Sequence, residues 1–397
     1  MSNSCSFVLF KLINYENHNI NNKNFKEERL MKKDMHIKKL LVILLVFSTL
    51  FIIVSCGKED KNKEIDLNAL SVEDIEKGAE KEGKLESVGM PGSWANWQGT
   101  WDDIEEKYGI DHNDTDMSSG EEIAMFEAEK NNPTKDIGDV GHKFGPEAKE
   151  KGVTQSYKTS YWDEVPDWAK DPDGHWMIGY TGVTTFLTNT ELVDNPPTSW
   201  QDVRDGDYKV TLGDVVTGAT GQGNVLASAY AFGGDMDNLE PAIEFWKEMA
   251  AAGRIDQGDI LLQRVQAGEV QVGVTWSYNA LGYRDQTPNY EFHYYVPQDG
   301  AILSGYASII NKYSPHPHAA ALAREYIFSD AGQINLAEGY AIPIRSGVEI
   351  PAEIQERGIP SDQTLNAVPI EDPDKYAAVC EEIAKIWQEE IIPLMSN

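Results

Sequence analysis

The chain has 397 residues, with 34 Lys and Arg against 65 Asp and Glu, and three cysteines. A formal charge of −31 disfavours nucleic acid and anionic membrane surfaces as partners, and it reports on solubility more than on any pocket. The roughly 340 residues behind the N-terminal segment exceed the usual size of one hydrophobic core, so two lobes are expected.

Residues 1–30 are rich in Asn and precede Met31 and Met35, either of which would open a conventional signal sequence. They read as an over-extended start and stay outside the fold argument. From Lys38-Lys39 an apolar run leads to Ser55-Cys56-Gly57, and a polar tether follows to Glu64. About fifteen apolar residues is short for a membrane span and suits the core of a signal peptide. Ser55 before Cys56, with Ile53 further back, resembles the lipobox of bacterial lipoproteins, whose cysteine is acylated and becomes the first mature residue. Residues 1–55 are thus expected to be signal peptide and 56–66 a lipid-anchored tether, with the rest exported and held at the membrane through Cys56. A single N-terminal membrane anchor is the alternative. Removing residues 1–55 leaves 26 basic and 61 acidic residues, a balance of −35. Cys380 is then without a disulfide partner. It shares a helix face with Ala377, Ile383 and Ala384 and reads as a buried apolar thiol.

Ser71 is placed to cap a helix over Val72–Glu82, with Asp74 at the capping-box position. A strand over 84–90 ends in the turn Pro91-Gly-Ser-Trp-Ala-Asn96, and a helix over Trp97–Tyr108 follows. A strand over 111–117 leads through Ser118, Ser119 and Gly120 into a helix reaching Lys130, and 137–140 is a further strand. This alternation argues for an α/β fold with parallel sheets and crossover helices. Two segments look like crossings between lobes: the β-branched, aromatic run 179–189 and the run 290–296. They assign 67–183 plus 298–397 to one lobe and 184–297 to the other, with hinges at 180–186 and 292–297.

Four stretches, in order, carry a resemblance to the bacterial solute-binding proteins of ABC importers. They are Pro196-Pro-Thr-Ser-Trp-Gln-Asp-Val203 with Tyr208-Lys-Val-Thr-Leu-Gly213; Thr217-Gly-Ala-Thr-Gly-Gln-Gly-Asn224; Val265-Gln-Ala-Gly-Glu-Val-Gln-Val-Gly-Val-Thr-Trp276; and Ser314-Pro-His-Pro-His318 with Phe328-Ser-Asp-Ala-Gly-Gln333 and Ile342-Pro-Ile-Arg345. The resemblance is to the branch holding ferric-iron, polyamine, thiamine, phosphonate, sugar-phosphate and pyridoxal-phosphate binders. It implies a two-lobed type 2 periplasmic-binding-protein fold, with two mixed, mainly parallel sheets, a hinge and an interlobe cleft. It also implies an ABC permease as partner and a monomer whose bound molecule is transported solute rather than cofactor.

The glycine-rich run Thr217, Gly218, Ala219, Thr220, Gly221 and Gln222 heads a helix, and its amides and hydroxyls could cradle an oxyanion. It is not a nucleotide-binding P-loop, because no lysine follows the glycines. As an ordinary capped turn it would need no ligand. Ser93, Trp94 and Asn96 after the first strand, and Ser118, Ser119 and Gly120 before the third helix, fall outside strand carboxyl ends, where α/β ligands sit. Closure should bring residues 217–224 opposite Ser93 and 118–120. Trp94, Tyr180, Trp276 and Tyr306 are candidate aromatic walls, Trp276 foremost. Trp97, Trp101, Trp162, Trp168, Trp176 and Trp246 are assigned to core or surface. Asp139 and His142 could receive a polar or cationic ligand group.

None of these loops contains a cluster of acids suited to a polyamine, so a small phosphate-bearing ligand is expected. Pyridoxal 5′-phosphate leads, followed by sugar and thiamine phosphates. A polyamine or ferric iron is the alternative class. Iron binders of this branch use neighbouring tyrosines, whereas Tyr294-Tyr295 would point to opposite faces of a strand. His316 and His318 read as solvent-facing, and no metal site is expected. No nucleophile elbow or catalytic set appears, so an exported hydrolase is the remote alternative to a binding protein.

Overall fold

The computed structural model describes residues 65–395, save the side chain of Ser361. The signal segment and Cys56 lie outside the described residues. No helix among the described residues is long and apolar enough to cross a membrane.

Local chemistry sets the helix starts. Ser71 Oγ accepts the Asp74 amide at 3.1 Å, and Gly83 ends the Val72–Glu82 helix in the left-handed conformation at φ 62°. β1 (Lys84–Val88) and β2 (Asp111–Thr115) are two residues shorter than the sequence pattern indicated. β3 is Ile137–Gly141, β4 Thr154–Gln155 and β5 Trp176–Asn189. β6 (Val210–Thr211), β7 (Ile255–Asp256) and β8 (Val272–Trp276) follow. β9 (Phe292–Tyr295), β10 (Ala301–Asn311), β11 (Ile342–Pro343) and β12 (Ala367–Pro369) complete the sheet.

The strands lie in the order β2-β1-β3-β10-β5-β8-β6-β7. Pairing is parallel at both flanks, where crossover helices connect strands, as the alternating pattern requires. Around β5 and β10 it is antiparallel, because these strands carry the chain between the halves, except that the short β12 runs parallel to β10. β5 changes partners midway. Its first part pairs with β10 as far as Val183, and from Thr184 it pairs with β8. All fourteen β5 residues are buried, which accounts for its unbroken β-branched and aromatic composition. The return run 290–296 contributes β9, which pairs only with the distal part of β5. β10 then lies against its proximal part. The fold is α/β with two lobes, and the ends of β1, β2, β3, β6 and β8 point into one cleft.

Cys380 is fully buried on the Pro373–Ile386 helix, and burial pushes its thiol up to about 12. His316 and His318 are not solvent-facing. Their Nδ1 atoms meet Asp136 at 2.9 Å and Glu82 at 2.6 Å, tying the start of the Pro317–Phe328 helix to β3 and to the first helix.

Candidate functional site

The loops after β1, β2, β6 and β7, with residues near the ends of β3 and β8, enclose a cavity of about 360 Å³. The first sheet half contributes Trp94, Ser118, Ser119, Asp139 and Tyr306, and the second contributes Thr217, Gly218, Ala219, Thr220 and Gly221. The two sides touch. Thr220 Oγ1 lies 3.0 Å from Tyr306 Oη, and a Cβ on Gly141 would sit 2.2 Å from Ala219 Cβ. Only glycine permits that approach at position 141. Gly120 does not line the cavity but backs onto Thr217, 3.6 Å from its carbonyl oxygen to an ideal Cβ.

Several other expected site residues lie elsewhere. Ser93 and Asn96 turn toward a second cavity of about 310 Å³, with Tyr278, Asp285, Tyr340 and Arg357. Asn96 adopts the left-handed conformation, φ 56°, which Asn tolerates, and its Nδ2 donates to Asn335 Oδ1 at 2.9 Å. Trp276 is 2% exposed and packs behind the site, so the aromatic walls are Trp94 and Tyr306 instead, edge to face at 5.7 Å. Trp94 is fixed by its Nε1 donating to Tyr283 Oη at 2.8 Å. Tyr180 is fully buried, and its hydroxyl donates to Asp139 Oδ2 at 2.6 Å. Gln222 is fully buried and ties the loop to itself, donating to the Val216 carbonyl at 3.2 Å. His142 is 1% exposed among Trp168, Trp176 and Tyr376, with neither ring nitrogen partnered. Burial lowers its pKa to about 4.

The glycine-rich loop is built differently from a cradle. Asp214 Oδ1 accepts the amides of Val216 and Thr217, at 2.7 and 3.2 Å, and its other oxygen takes the Thr217 hydroxyl. Gly218 and Gly221 make room for the Asp214 carbonyl, since a Cβ there would fall 2.6 and 2.4 Å from it. Those glycines therefore serve the turn. At the other loop, Glu121 Oε2 accepts both the amide and the hydroxyl of Ser118, at 3.0 and 2.8 Å, completing a capping box. The donors expected to meet an anion at these two places are already held by the protein's own carboxylates. What remains is the first turn of the Ala219–Ala231 helix, whose amides have no intrahelical partner, with the hydroxyls of Thr220 and Ser119 nearby.

Six carboxylates line the cavity: Asp116, Glu121, Asp214 and Asp259 at the exposed rim, and Glu122 and Asp139 inside. No lysine, arginine or histidine lines it. This overturns the expectation that no acid cluster occurs at these loops. Glu122 is 1% exposed, and its Oε2 has no hydrogen-bond partner. Burial, then the neighbouring Asp139, pushes its pKa well above the carboxylate range. Asp139 is 2% exposed, and burial raises its pKa to about 8 against the opposing pull of the Tyr180 hydroxyl. The sequence offered one signal for Glu122 that was missed. Gly89, just after β1, and Gly138, in β3, leave the space its carboxyl fills, since Cβ atoms there would lie 2.3 and 2.7 Å from its oxygens. Among the described residues, no three or more His, Cys, Asp or Glu side chains are grouped so as to hold a metal ion.

Residues 132–373 match the family described as bacterial extracellular solute-binding protein. An uncharacterised protein of Haemophilus influenzae is 29% identical over 230 residues, covering 52% of this chain and 64% of that protein, which is under two thirds of its length. The periplasmic binding protein AfuA of Actinobacillus pleuropneumoniae, solved with exogenous fructose-6-phosphate bound, superposes with a TM-score of 0.65 at 20% identity, over 78% of this chain and 98% of that one. The ferric binding protein of Campylobacter jejuni gives 0.57 at 21% identity, over 77% and 98%. At such identities these two likenesses are of fold, and they agree with a two-lobed architecture closing around a cleft. The family match spans more than half of the sequence, and the chain belongs to the bacterial extracellular solute-binding proteins.

Proposed function

We propose that this protein is the extracytoplasmic receptor of an ABC importer, anchored through Cys56, and that it captures a small organic solute by a positively charged amine. The lobes would hinge at 180–186 and 292–297, and the closed form would dock the permease. The observation that carries the ligand reading is the cavity lining, with six carboxylates and no basic side chain. An uncompensated anion placed there would meet repulsion at every rim position. An ammonium group would meet charge-assisted hydrogen bonds. The negative charge of the whole chain adds long-range attraction for such a solute. Trp94 and Tyr306 would cover its apolar part.

The phosphate reading, with pyridoxal 5′-phosphate or a sugar phosphate as ligand, keeps one specific support. The Ala219–Ala231 helix directs its free first-turn amides into the cavity, and helix termini favour anions by about 0.3–1 kcal/mol. A solute carrying both an amine and an acid group would use both ends. Mass spectrometry of molecules released from denatured protein tests the proposal, together with calorimetry against putrescine, spermidine, pyridoxal 5′-phosphate and fructose 6-phosphate. The amine reading expects heat from the amines. Heat from the phosphate compounds alone would overturn it. For the anchor, labelled palmitate should enter the wild-type protein in a bacterium and not Cys56→Ser.

A further inference from the structure

The interior of the cleft holds a group whose state the proposed function does not specify. Glu122 is buried, its Oε2 has no partner, and it lines the cavity directly. Asp139, on β3, is the second buried carboxyl of the cavity wall. Tyr180 from β5 donates its hydroxyl to Asp139, and Tyr306 from β10 stacks parallel to Tyr180 at 6.2 Å. From the end of β2 come Asp114, held by the Ser87 hydroxyl at 2.5 Å and the Met90 amide at 3.1 Å, and the exposed Asp116. Beside them His112, stacked on Trp101 at 3.9 Å, is kept neutral by burial, with a pKa of about 4. Lys135, which acts on Asp114, is already paired with Glu86 at 3.0 Å. Across the cleft Asp214 and Asp259 are again acids. No side chain facing the pair supplies a countercharge.

Two buried carboxyls without a cation cannot both stay ionised, because each would bear the cost of burial and the repulsion of the other. Resting on the amine reading above, we propose that Glu122 and Asp139 form a proton-holding pair that a solute ammonium group discharges. The carboxyl O–H bond breaks, its proton passes to solvent, and the carboxylate left behind accepts a hydrogen bond from the ammonium. Capture of one solute therefore releases about one proton, and affinity rises with pH while the pair is still protonated in the empty protein. In the Asp139 range, that gain continues to about pH 8 and then levels off.

The test has a ligand-free arm and a ligand arm, both on the purified protein. Infrared spectra at pH 6 should show a protonated-carboxyl C=O band that weakens in Glu122→Gln and in Asp139→Asn. Circular dichroism would establish that both variants fold. Putrescine should weaken the band by about as much as either substitution does. Calorimetric titration in Tris and in HEPES should give enthalpies differing by about one buffer ionisation, a difference largely lost in Glu122→Gln. Absence of the band in the empty wild type overturns the proposal, as does putrescine binding with no proton release. A band that is present, with no putrescine binding but binding of fructose 6-phosphate, sinks the amine reading and the exchange with it, and leaves only the protonated pair standing.

Discussion

Two cavities among the described residues are of similar size, about 360 and 310 Å³, and they are lined differently. The smaller one carries both signs of charge, with Asp285, Glu338 and Arg357 in its lining. Asp285 is paired with Arg284 at 2.7 Å and takes the Tyr340 hydroxyl, and Arg357 donates to that same hydroxyl at 3.0 Å. Its unpartnered group, the Tyr278 hydroxyl, is neutral and cheaper to bury than a charge. The larger cavity carries one sign only and leaves Glu122 Oε2 unmet. The smaller void sets a base among its acids, whereas the larger one holds acids alone, the lining that the proposed capture of a cationic solute would use.

Substitutions in the two places should separate these roles. The largest effect expected is on binding. Asp139→Asn keeps an acceptor for Tyr180 but removes the charge, so amine affinity measured by calorimetry should fall about 10- to 100-fold, the range of a lost charge-assisted hydrogen bond. Unchanged affinity would mean that the acids are structural. At the smaller cavity, Tyr340→Phe strips the hydroxyl shared by Asp285 and Arg357. It should cost about 1–3 kcal/mol of stability in urea unfolding and leave amine affinity within about twofold. A large loss of affinity there would merge the two cavities into one site.

A third prediction concerns pH. Asp139 has its pKa raised from the ordinary 3.8 to about 8 by folding, so the unfolded chain gives up this proton first. Between these values the native state binds more protons, and its share of stability declines as pH rises from about 4 to about 8. Melting temperatures of the empty protein should follow that slope, with a flatter profile in Asp139→Asn. An equal slope in the variant would place the effect on other groups. The smallest effect expected is that of Thr220→Val. It removes a hydroxyl beside the free helix amides and should weaken a phosphate ligand by about 0.5–1.5 kcal/mol, with little change for putrescine. Weakening of putrescine instead would bring its ammonium to the second lobe.

Much of this was legible in the sequence wherever a local rule governed. Ser71 and Ser118 cap helices because hydroxyls at those offsets reach amides a few residues on, whatever the rest of the chain does. The buried crossing strand followed from its composition. The site was only half legible. Glu121 and Glu122 are neighbours of one type, and nothing in their order says that the first turns back onto Ser118 while the second enters the cleft. Likewise Asp214, two and three residues before the amides it holds, looks like any loop acid until its carboxylate is seen to occupy the donors of Val216 and Thr217. Trp94 lies in the turn after a strand and Trp276 ends one, and only packing decides that the former reaches the cavity and the latter stands behind it.

The strand Trp176–Asn189 is a core member of both halves, buried along its whole length, and changes partners between Val183 and Thr184 without a break. Neither half owns a complete sheet without it. Heat or urea should therefore melt the protein in a single cooperative step, with intrinsic fluorescence and circular dichroism tracing one curve. An isolated segment covering 190–296 would lack the strand that orders β8 and β9, and it should remain unfolded.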